Sequence, residues 1–282
     1  GEEAAAAARA DEAEKAAAKT RPEAVSGAKN VFVVGAPRTG STLVHAALGA
    51  HPAIAADGDD HRLWGDLVAE VGLQFFENES DDNVEDLGRT YRARIAQRAG
   101  IGSLGETANA SYIVDADLEN VWWLGAAAAA LGDDLRAVIV RRDARATAFS
   151  CYKTAFPPAS GRMWTDDPED LGGRLKAIRA LEDHWLATLP ENSLKVVSYE
   201  KLIGDPEAVL NELFEWLGVD SDCAACRRPN ATAAAFTSAG AIALRAPAFH
   251  LSGLEGWARY EPFLEAEVFP HLGLETEAEE EG

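Results

Sequence analysis

Short apolar runs alternate with amphipathic segments through the middle of the chain. Residues 31–34, 135–140 and 194–198 are short runs rich in Val, Ile and Leu, which is typical of buried strands. Each run is followed by a segment with apolar residues at helical spacing, and the clearest of these places on one face Val209, Leu210, Leu213, Phe214 and Leu217. Strands that alternate with helices predict an α/β fold in three layers, with a central parallel sheet flanked by helices.

Further helices are predicted at residues 41–50, 144–152 and 171–189. Trp122 and Trp123 lie in an apolar helical segment and are expected to pack in the core. Residues 155–170 are expected to form an irregular loop that acts as a lid or contacts a substrate. In folds of this class ligands bind at the carboxyl ends of the strands, so the residues that follow the strands are the first candidates for chemistry.

The two ends of the chain lack an apolar stripe that a core would bury. Residues 1–29 are rich in Ala, Glu, Lys and Arg and predict a solvated helix or a flexible linker. Residues 275–282 form an acidic tail that we expect to be disordered. One globular domain is therefore expected at 30–274. Because the chain begins with Gly1 and its only methionine is Met163, we expect it to be part of a larger multidomain protein.

The charge balance excludes one class of partner. The chain has 26 Lys and Arg against 47 Asp and Glu, a net charge of −21, so we expect no nucleic acid to bind along its surface. A nucleotide still binds if a few cations converge on one pocket. No apolar run reaches the roughly 18 residues of a membrane span, and no signal-peptide pattern is present. We therefore expect a cytoplasmic protein without a membrane span.

The three cysteines, Cys151, Cys223 and Cys226, do not predict a disulfide framework. Cys223 and Cys226 form a CxxC pair, but a second pair of metal ligands is missing and no helix clearly starts there. Two ordinary thiols near a loop are therefore expected, rather than a zinc or redox site.

The segment that follows the first predicted strand has the pattern of a phosphate loop. Residues 35–42 read GAPRTGST and fit GxxxxGK[ST], except that Ser41 replaces the lysine. Gly40 permits a close turn, and the amides of the loop and of the next helix N-terminus point at an anion, which makes the fold one of the P-loop type. Without the lysine, and without an acidic strand end to hold magnesium, an ATPase or kinase is disfavoured. The alternative is a Gly/Pro turn with no function.

A second anion site is predicted where the 135–140 strand ends. Arg141 and Arg142 follow it, and Ser150 lies two helical turns further on. Arginine chelates phosphate through two parallel N–H bonds, so either arginine with the Ser150 hydroxyl is a candidate for a second phosphate. The alternative is a surface arginine pair that is salt-bridged to Asp143. Two anion sites at strand ends suit a nucleotide phosphorylated at both its 5′ and 3′ positions.

The two motifs together resemble a known family. PRTGSTL at 37–43 and RRDARATAFS at 141–150 resemble the 5′- and 3′-phosphate motifs of sulfotransferases that use 3′-phosphoadenosine-5′-phosphosulfate (PAPS). Further segments match in the same order, namely His51-Pro52 with Gly58-Asp59, Tyr199-Glu200 with Asp205-Pro206, and the run from Thr237 to Tyr260. The last run resembles the branch that contains tyrosylprotein sulfotransferases and TPR-linked sulfotransferases.

The resemblance implies a role for each matching residue. The 5′-phosphosulfate would be held by the loop residues Pro37, Arg38, Thr39, Gly40, Ser41 and Thr42. The 3′-phosphate would be held by Arg142 and Ser150, with Arg245 closing over it, and Tyr199 would lie near the adenine. Asp59 falls where these relatives place a glutamate that acts as general base, and the reaction requires no metal.

Two positions depart from the family pattern. The expected glutamate is Asp59, which is one methylene shorter, with Asp60 and His61 beside it as substitutes. Relatives also carry a lysine that assists the transferring sulfuryl group, and Ala116 stands in its place. Another cation would have to do that work, and the candidates are Arg38, Lys153 and Arg145.

The sequence thus predicts an enzyme that transfers a sulfuryl group from PAPS in line to a hydroxyl, releasing adenosine 3′,5′-bisphosphate. Asp59 or His61 would be the general base, with Arg38 as the cation. The acceptor would be a small-molecule, carrier-bound or peptide hydroxyl. The alternatives are a nucleotide-binding pseudoenzyme, which Ala116 favours, and a kinase-like P-loop protein, which the missing lysine disfavours.

Overall fold

A five-stranded parallel sheet forms the centre of the molecule. The computed structural model describes residues 27–56, 62–71, 81–100, 110–156, 161–227 and 256–273. Its strands are Lys29–Val34 (β1), Ile54–Ala56 (β2), Tyr112–Asp115 (β3), Leu135–Arg141 (β4) and Leu194–Ser198 (β5). The order is β2-β3-β1-β4-β5 with every neighbouring pair parallel, so the chain changes its direction of winding beside β1. That change makes the carboxyl end of β1 the expected ligand site.

Helices cover both faces of the sheet. In the described part of the chain they are Ser41–Gly49 (α1), Leu63–Val71 (α2), Asp81–Arg98 (α3), Leu124–Leu131 (α4), Ala144–Tyr152 (α5), Pro168–Thr188 (α6), Tyr199–Gly204 (α7), Pro206–Leu217 (α8) and Glu261–Glu267 (α9). Single 3-10 turns lie at Leu118–Trp123, Gly132–Asp134, Met163–Thr165, Glu191–Ser193, Ala258–Tyr260 and Phe269–Leu272. No helix among the described residues is long and apolar enough to cross a membrane.

The side chains of β1 show why the sheet is buried on both faces. Phe32 and Val34 pack into a cluster with α2, α3 and α4, whereas Val31 and Val33 pack into a second cluster with α1, α7 and α8. All four are 0% exposed. Because successive strand residues point to opposite faces, an unbroken apolar run fills both cores, and the predicted three-layer α/β fold is confirmed.

A third apolar cluster joins the end of the chain to α5 and α6. It includes Ala148, Cys151, Leu171, Leu175, Leu264, Val268 and Leu272. Arg145 on α5 lies over two neighbouring aromatic rings of the C-terminal segment, 5.7 Å from the Trp257 centroid and 5.6 Å from that of Phe269. Residues 256–273 therefore pack directly on the helix that follows β4.

Most of the predicted elements are found within two or three residues of their expected bounds, and α5 spans the predicted 144–152. Strand β1 begins at Lys29, two residues earlier than the apolar run. Trp122 and Trp123 are half-buried in a 3-10 turn and pack against the first cluster, as expected.

The predicted irregular loop at 155–170 is wrong in its last part. Met163–Thr165 forms a 3-10 turn, and α6 begins at Pro168. The cause is a cap, because the Asp167 carboxylate accepts hydrogen bonds from the amides of Glu169 and Asp170, and proline is favoured in the first helical turn.

The expectation of separate thiols at Cys223 and Cys226 is also wrong. The two residues form a disulfide, and both are buried against the second cluster. A tight turn in which the Cys226 amide donates to the Cys223 carbonyl at 3.1 Å brings their Cα atoms to 5.3 Å, which lies within disulfide range.

Candidate functional site

The phosphate loop, residues 35–42, connects β1 to α1 through three residues with positive φ. Gly35 has φ 139°, Arg38 has φ 69° and Gly40 has φ 100°. A Cβ on Gly35 would lie 2.6 Å from the Val140 carbonyl oxygen, so only glycine lets the loop pass this close to β4. The Thr39 hydroxyl donates to the Ala36 carbonyl at 2.8 Å and closes the turn internally.

The loop ends where the N-terminus of α1 begins. Gly40 caps the helix, and its carbonyl already accepts from the amides of Leu43 and Val44 at 2.9 and 3.1 Å. The amides at the start of a helix have no carbonyl partner within the helix, and the helix dipole places partial positive charge there. Ser41 is buried and Thr42 half-buried, and both lie in the first turn of this helix. The arrangement is that of an anion site.

The second motif reaches the loop through Arg142. Its Nη1 donates to the Arg38 carbonyl at 3.0 Å, and its guanidinium lies over the Tyr199 ring, 4.6 Å from the centroid. The sequence alone does not tell which of Arg141 and Arg142 belongs to the second anion site. In the structure Arg141 binds carboxylates on α6. Its Nε and Nη2 donate to Glu182 and Asp183 on α6 at 2.8 and 2.5 Å. Of the two arginines, Arg142 is therefore the one that borders the phosphate loop.

Arg38, a residue of the phosphate loop, contacts both residues of the second anion site. Its Nε donates to the Ser150 hydroxyl at 3.2 Å, so one residue contacts both partners of the second anion site through its carbonyl and its side chain. Burial, the largest effect, lowers the pKa of the Arg38 guanidinium, and the charge of Arg142 lowers it further. No carboxylate among the described residues pairs with Arg38. A buried cation in this position favours a bound anion.

Two further residues hold this geometry, and the sequence predicted no such role for either. The Glu200 carboxylate accepts from the Asp143 amide and from the Ser198 hydroxyl, both at 2.8 Å, and so joins the ends of β4 and β5. Cys151 lies under the phosphate loop, where its thiol donates to the Pro37 carbonyl at 3.3 Å. Burial raises the pKa of Cys151 to about 12, so the thiol keeps its proton at neutral pH. Only the YE pair in one motif hinted at Glu200.

The residue that follows β3 is Ala116, where the family pattern has a lysine. Ala116 is 7% exposed and packs into the second apolar cluster. Next to it, Asp115 is fully buried; its Oδ2 accepts from the Tyr91 hydroxyl at 2.7 Å and its Oδ1 from the Asp117 amide at 3.0 Å. The carboxylate therefore fixes the turn after β3.

The three candidates for a replacement cation are placed differently. The Lys153 ammonium lies 4.8 Å from the centroid of Phe149, and Arg145 is stacked against the C-terminal segment. Arg38 alone among them contacts the motif residues Arg142 and Ser150. The geometry favours Arg38.

The predicted general bases, Asp59 and His61, and the closing residue Arg245 lie outside the described residues. The segment before them is anchored by His51. Its Nδ1 accepts from the Ala53 amide at 3.0 Å, so its Nε2 donates to the Asp220 carbonyl at 2.8 Å. The histidine of the HP pair thus stabilises the approach to β2.

Comparisons with known proteins identify the family and the fold. The family model described as "Sulfotransferase family" matches residues 30–222. A sulfotransferase domain from the Synechococcus PCC 7002 olefin synthase has 19% sequence identity and a TM-score of 0.53, covering 85% of this chain and 90% of its own. A sulfotransferase domain from the curacin biosynthetic pathway has 17% identity and a TM-score of 0.53, covering 83% of this chain and 91% of its own. Both share the fold.

One curated relative also matches in sequence. It is an uncharacterized protein of Aquifex aeolicus (strain VF5), 25% identical over 246 residues, which are 83% of this chain. The chain spans 31% of the length of that relative. The family match covers well over half of the chain and includes both anion-binding motifs. The chain therefore belongs to the Sulfotransferase family.

Proposed function

We propose that this sulfotransferase takes its sulfuryl group from PAPS and transfers it to a hydroxyl acceptor. One observation carries the proposal. The phosphate loop and the turn after β4 are separate anion-binding elements, and Arg38 joins them through its bonds to Ser150 and Arg142. A donor with phosphates at both its 5′ and 3′ positions fits such a pair, whereas a nucleoside triphosphate needs only the first.

Each phosphate of the donor is assigned to one of the two anion-binding elements. The amides and hydroxyls at the start of α1, with Arg38, Ser41 and Thr42, would hold the 5′-phosphosulfate. Arg142 and Ser150 would hold the 3′-phosphate, and Arg245 is the predicted third partner. Tyr199 borders Arg142, which supports its predicted place beside the adenine. The closer assignment to the tyrosylprotein and TPR-linked branch stays a prediction.

In the proposed reaction, a lone pair of the acceptor oxygen forms a new S–O bond. The bond from sulfur to the 5′-phosphate oxygen breaks, and its electron pair leaves with adenosine 3′,5′-bisphosphate. The acceptor proton passes to Asp59 or His61, a step that contributes about 10²–10⁴-fold in typical enzymes. Arg38 stabilises the charge that develops on the bridging oxygen and supplies the cation for which Ala116 has no group.

A second candidate function is a nucleotide-binding pseudoenzyme. The observation that favours it is the burial of Ala116 in an apolar cluster, because no cation can extend from that position toward a transferring group. Binding and turnover must therefore be tested separately.

Thermal shift tests binding. Adenosine 3′,5′-bisphosphate is expected to raise the melting temperature more than adenosine 5′-monophosphate or ATP with magnesium, because only the bisphosphate fills both sites. Arg142→Ala is expected to weaken bisphosphate binding by roughly 10- to 150-fold, the value of a hydrogen bond to a charged group. Arg89→Ala, an exposed arginine paired with Asp86, is the matched control. A shift with ATP and magnesium but none with the bisphosphate would refute the proposal.

Transfer of label from ³⁵S-PAPS tests turnover. Acceptors would include a phenol, an alkyl alcohol, a tyrosyl peptide and a carrier-bound hydroxyacyl group. Asp59→Asn and His61→Asn separate the two candidate bases, and the variant that loses turnover while keeping bisphosphate affinity identifies the base. Tight bisphosphate binding without transfer to any acceptor would favour the pseudoenzyme.

A further inference from the structure

A cavity of about 380 Å³ lies behind the phosphate loop. It is an open cleft bordered by the end of β4, the first turns of α5 and the middle of α6, and Ala36 and Thr39 of the loop form one wall. Arg142 and Thr39 line it but Ser150 and Tyr199 do not, so this space adjoins the proposed donor site along one side. A space of this size suits a small organic molecule.

The cavity has hydrogen-bond donors without protein partners. Thr147 is 3% exposed, and its hydroxyl has no partner among the described residues. Arg141 donates Nε and Nη2 to carboxylates on α6, which leaves Nη1 without a described partner. Arg179, which is exposed, pairs within the described part of the chain through Nε alone, at 3.5 Å from Asp183. A buried hydroxyl without a partner carries a desolvation cost that a bound acceptor atom removes.

The hydrogen-bond acceptors that line the cavity already receive hydrogen bonds from protein donors. Glu182 is 3% exposed and accepts from Arg141 Nε at 2.8 Å. Asp143 accepts from the Ala146 amide at 2.7 Å and caps α5. Arg141, Arg142 and Arg179 border the cavity together with Glu182 and Asp143, and Asp183 pairs with both Arg141 and Arg179. The charges therefore balance, and it is the open O–H and N–H donors that favour an anionic ligand over a cationic one.

The remaining walls are apolar and include Leu175 and Ile178. A ligand that satisfies both kinds of wall has an acidic group at one end and an apolar body at the other. We propose that this cavity binds a small monocarboxylic acid, with its carboxylate toward Thr147, Arg141 and Arg179 and its apolar body against Leu175 and Ile178. The cavity adjoins the donor site through Arg142 and Thr39, but the contacts proposed for the acid lie outside that site and do not depend on the proposed function.

The test uses the whole chain without nucleotide and follows binding by saturation-transfer NMR and calorimetry. The probes are benzoate and hexanoate, with benzamide and benzylamine as neutral and cationic analogues. Both acids are expected to bind saturably in the millimolar range, and benzylamine is expected not to bind. Adenosine 3′,5′-bisphosphate, added afterwards, is expected to leave the acid bound.

Two variants address the contacts. Thr147→Val removes the hydroxyl at nearly constant volume and is expected to weaken benzoate about tenfold, the effect of losing one hydrogen bond to a charged group. Ile178→Trp is expected to fill the cavity and abolish binding, while Arg89→Ala serves as the surface control. The proposal is overturned if neither acid saturates, if benzylamine binds as tightly as benzoate, if the bisphosphate displaces the acid, or if Thr147→Val binds like wild type.

Discussion

Gly40→Ala tests whether the phosphate loop depends on a single glycine. Gly40 has φ 100°, a left-handed conformation that costs a non-glycine residue about 1–2 kcal/mol. An added Cβ would also lie 2.5 Å from Cδ2 of Tyr199. That ring is stacked on Arg142, so it cannot turn away without disturbing the second anion site. Overpacking of this kind adds about 1–3 kcal/mol. The total, roughly 2–5 kcal/mol, is a large part of the 5–15 kcal/mol by which domains are usually stable.

The measurement is urea unfolding followed by tryptophan fluorescence, with titration of adenosine 3′,5′-bisphosphate on the folded variant. Gly173→Ala is the matched control, because Gly173 lies in α6 with nothing within 4 Å of an added Cβ. It is expected to gain about 0.5–1 kcal/mol from helix propensity. In a Tyr199→Ala background the overpacking disappears, and Gly40→Ala should then cost only the 1–2 kcal/mol of the backbone. An equal cost in both backgrounds would refute the role given to Tyr199.

Three other outcomes follow from buried groups. Cys151 keeps its proton because burial raises its pKa to about 12, so a thiol reagent at pH 8 should modify it only as fast as the chain unfolds; faster labelling would contradict its burial. Burial raises the pKa of Glu182, so the wild type loses stability as pH rises above the ordinary glutamate range. Glu182→Gln should therefore improve relative to wild type in urea unfolding as the pH rises above the ordinary glutamate range, and a constant difference would argue against this. Tyr91→Phe removes a donor from buried Asp115 and should cost about 1–3 kcal/mol, whereas exposed Tyr260→Phe should cost almost nothing.

The elements that the sequence predicted best are those fixed by neighbouring residues. β5 and α5 have their expected bounds because their apolar periodicity and the Asp143 cap are local. The phosphate loop was also predicted, since strand, Gly40 and helix start follow one another within a dozen residues. Local order of this kind is visible in a single sequence.

What the sequence left open depends on contacts between distant residues. Arg141 and Arg142 are consecutive and equally suited to bind a phosphate, but Arg141 is held by Glu182, 41 residues away on α6. The bond from the Asp143 amide to Glu200 spans 57 residues and leaves no trace in spacing. For the same reason the positions of Asp59 and His61 relative to Arg38 stay a prediction.

The third apolar cluster is completed by the C-terminal segment, and this affects how the chain folds during synthesis. Ala148, Cys151 and Leu171 are covered by Leu264 and Leu272, near the end of the described chain. A ribosome releases α5 long before that cover exists, at roughly 5–20 residues per second. Until then, the helix that carries Ser150 has one apolar side facing water, where nascent-chain chaperones find their substrates. Strands β1 to β5 and the phosphate loop are synthesised before residues 256–273, so the helix that carries Ser150 is sealed only after the whole sheet has been made.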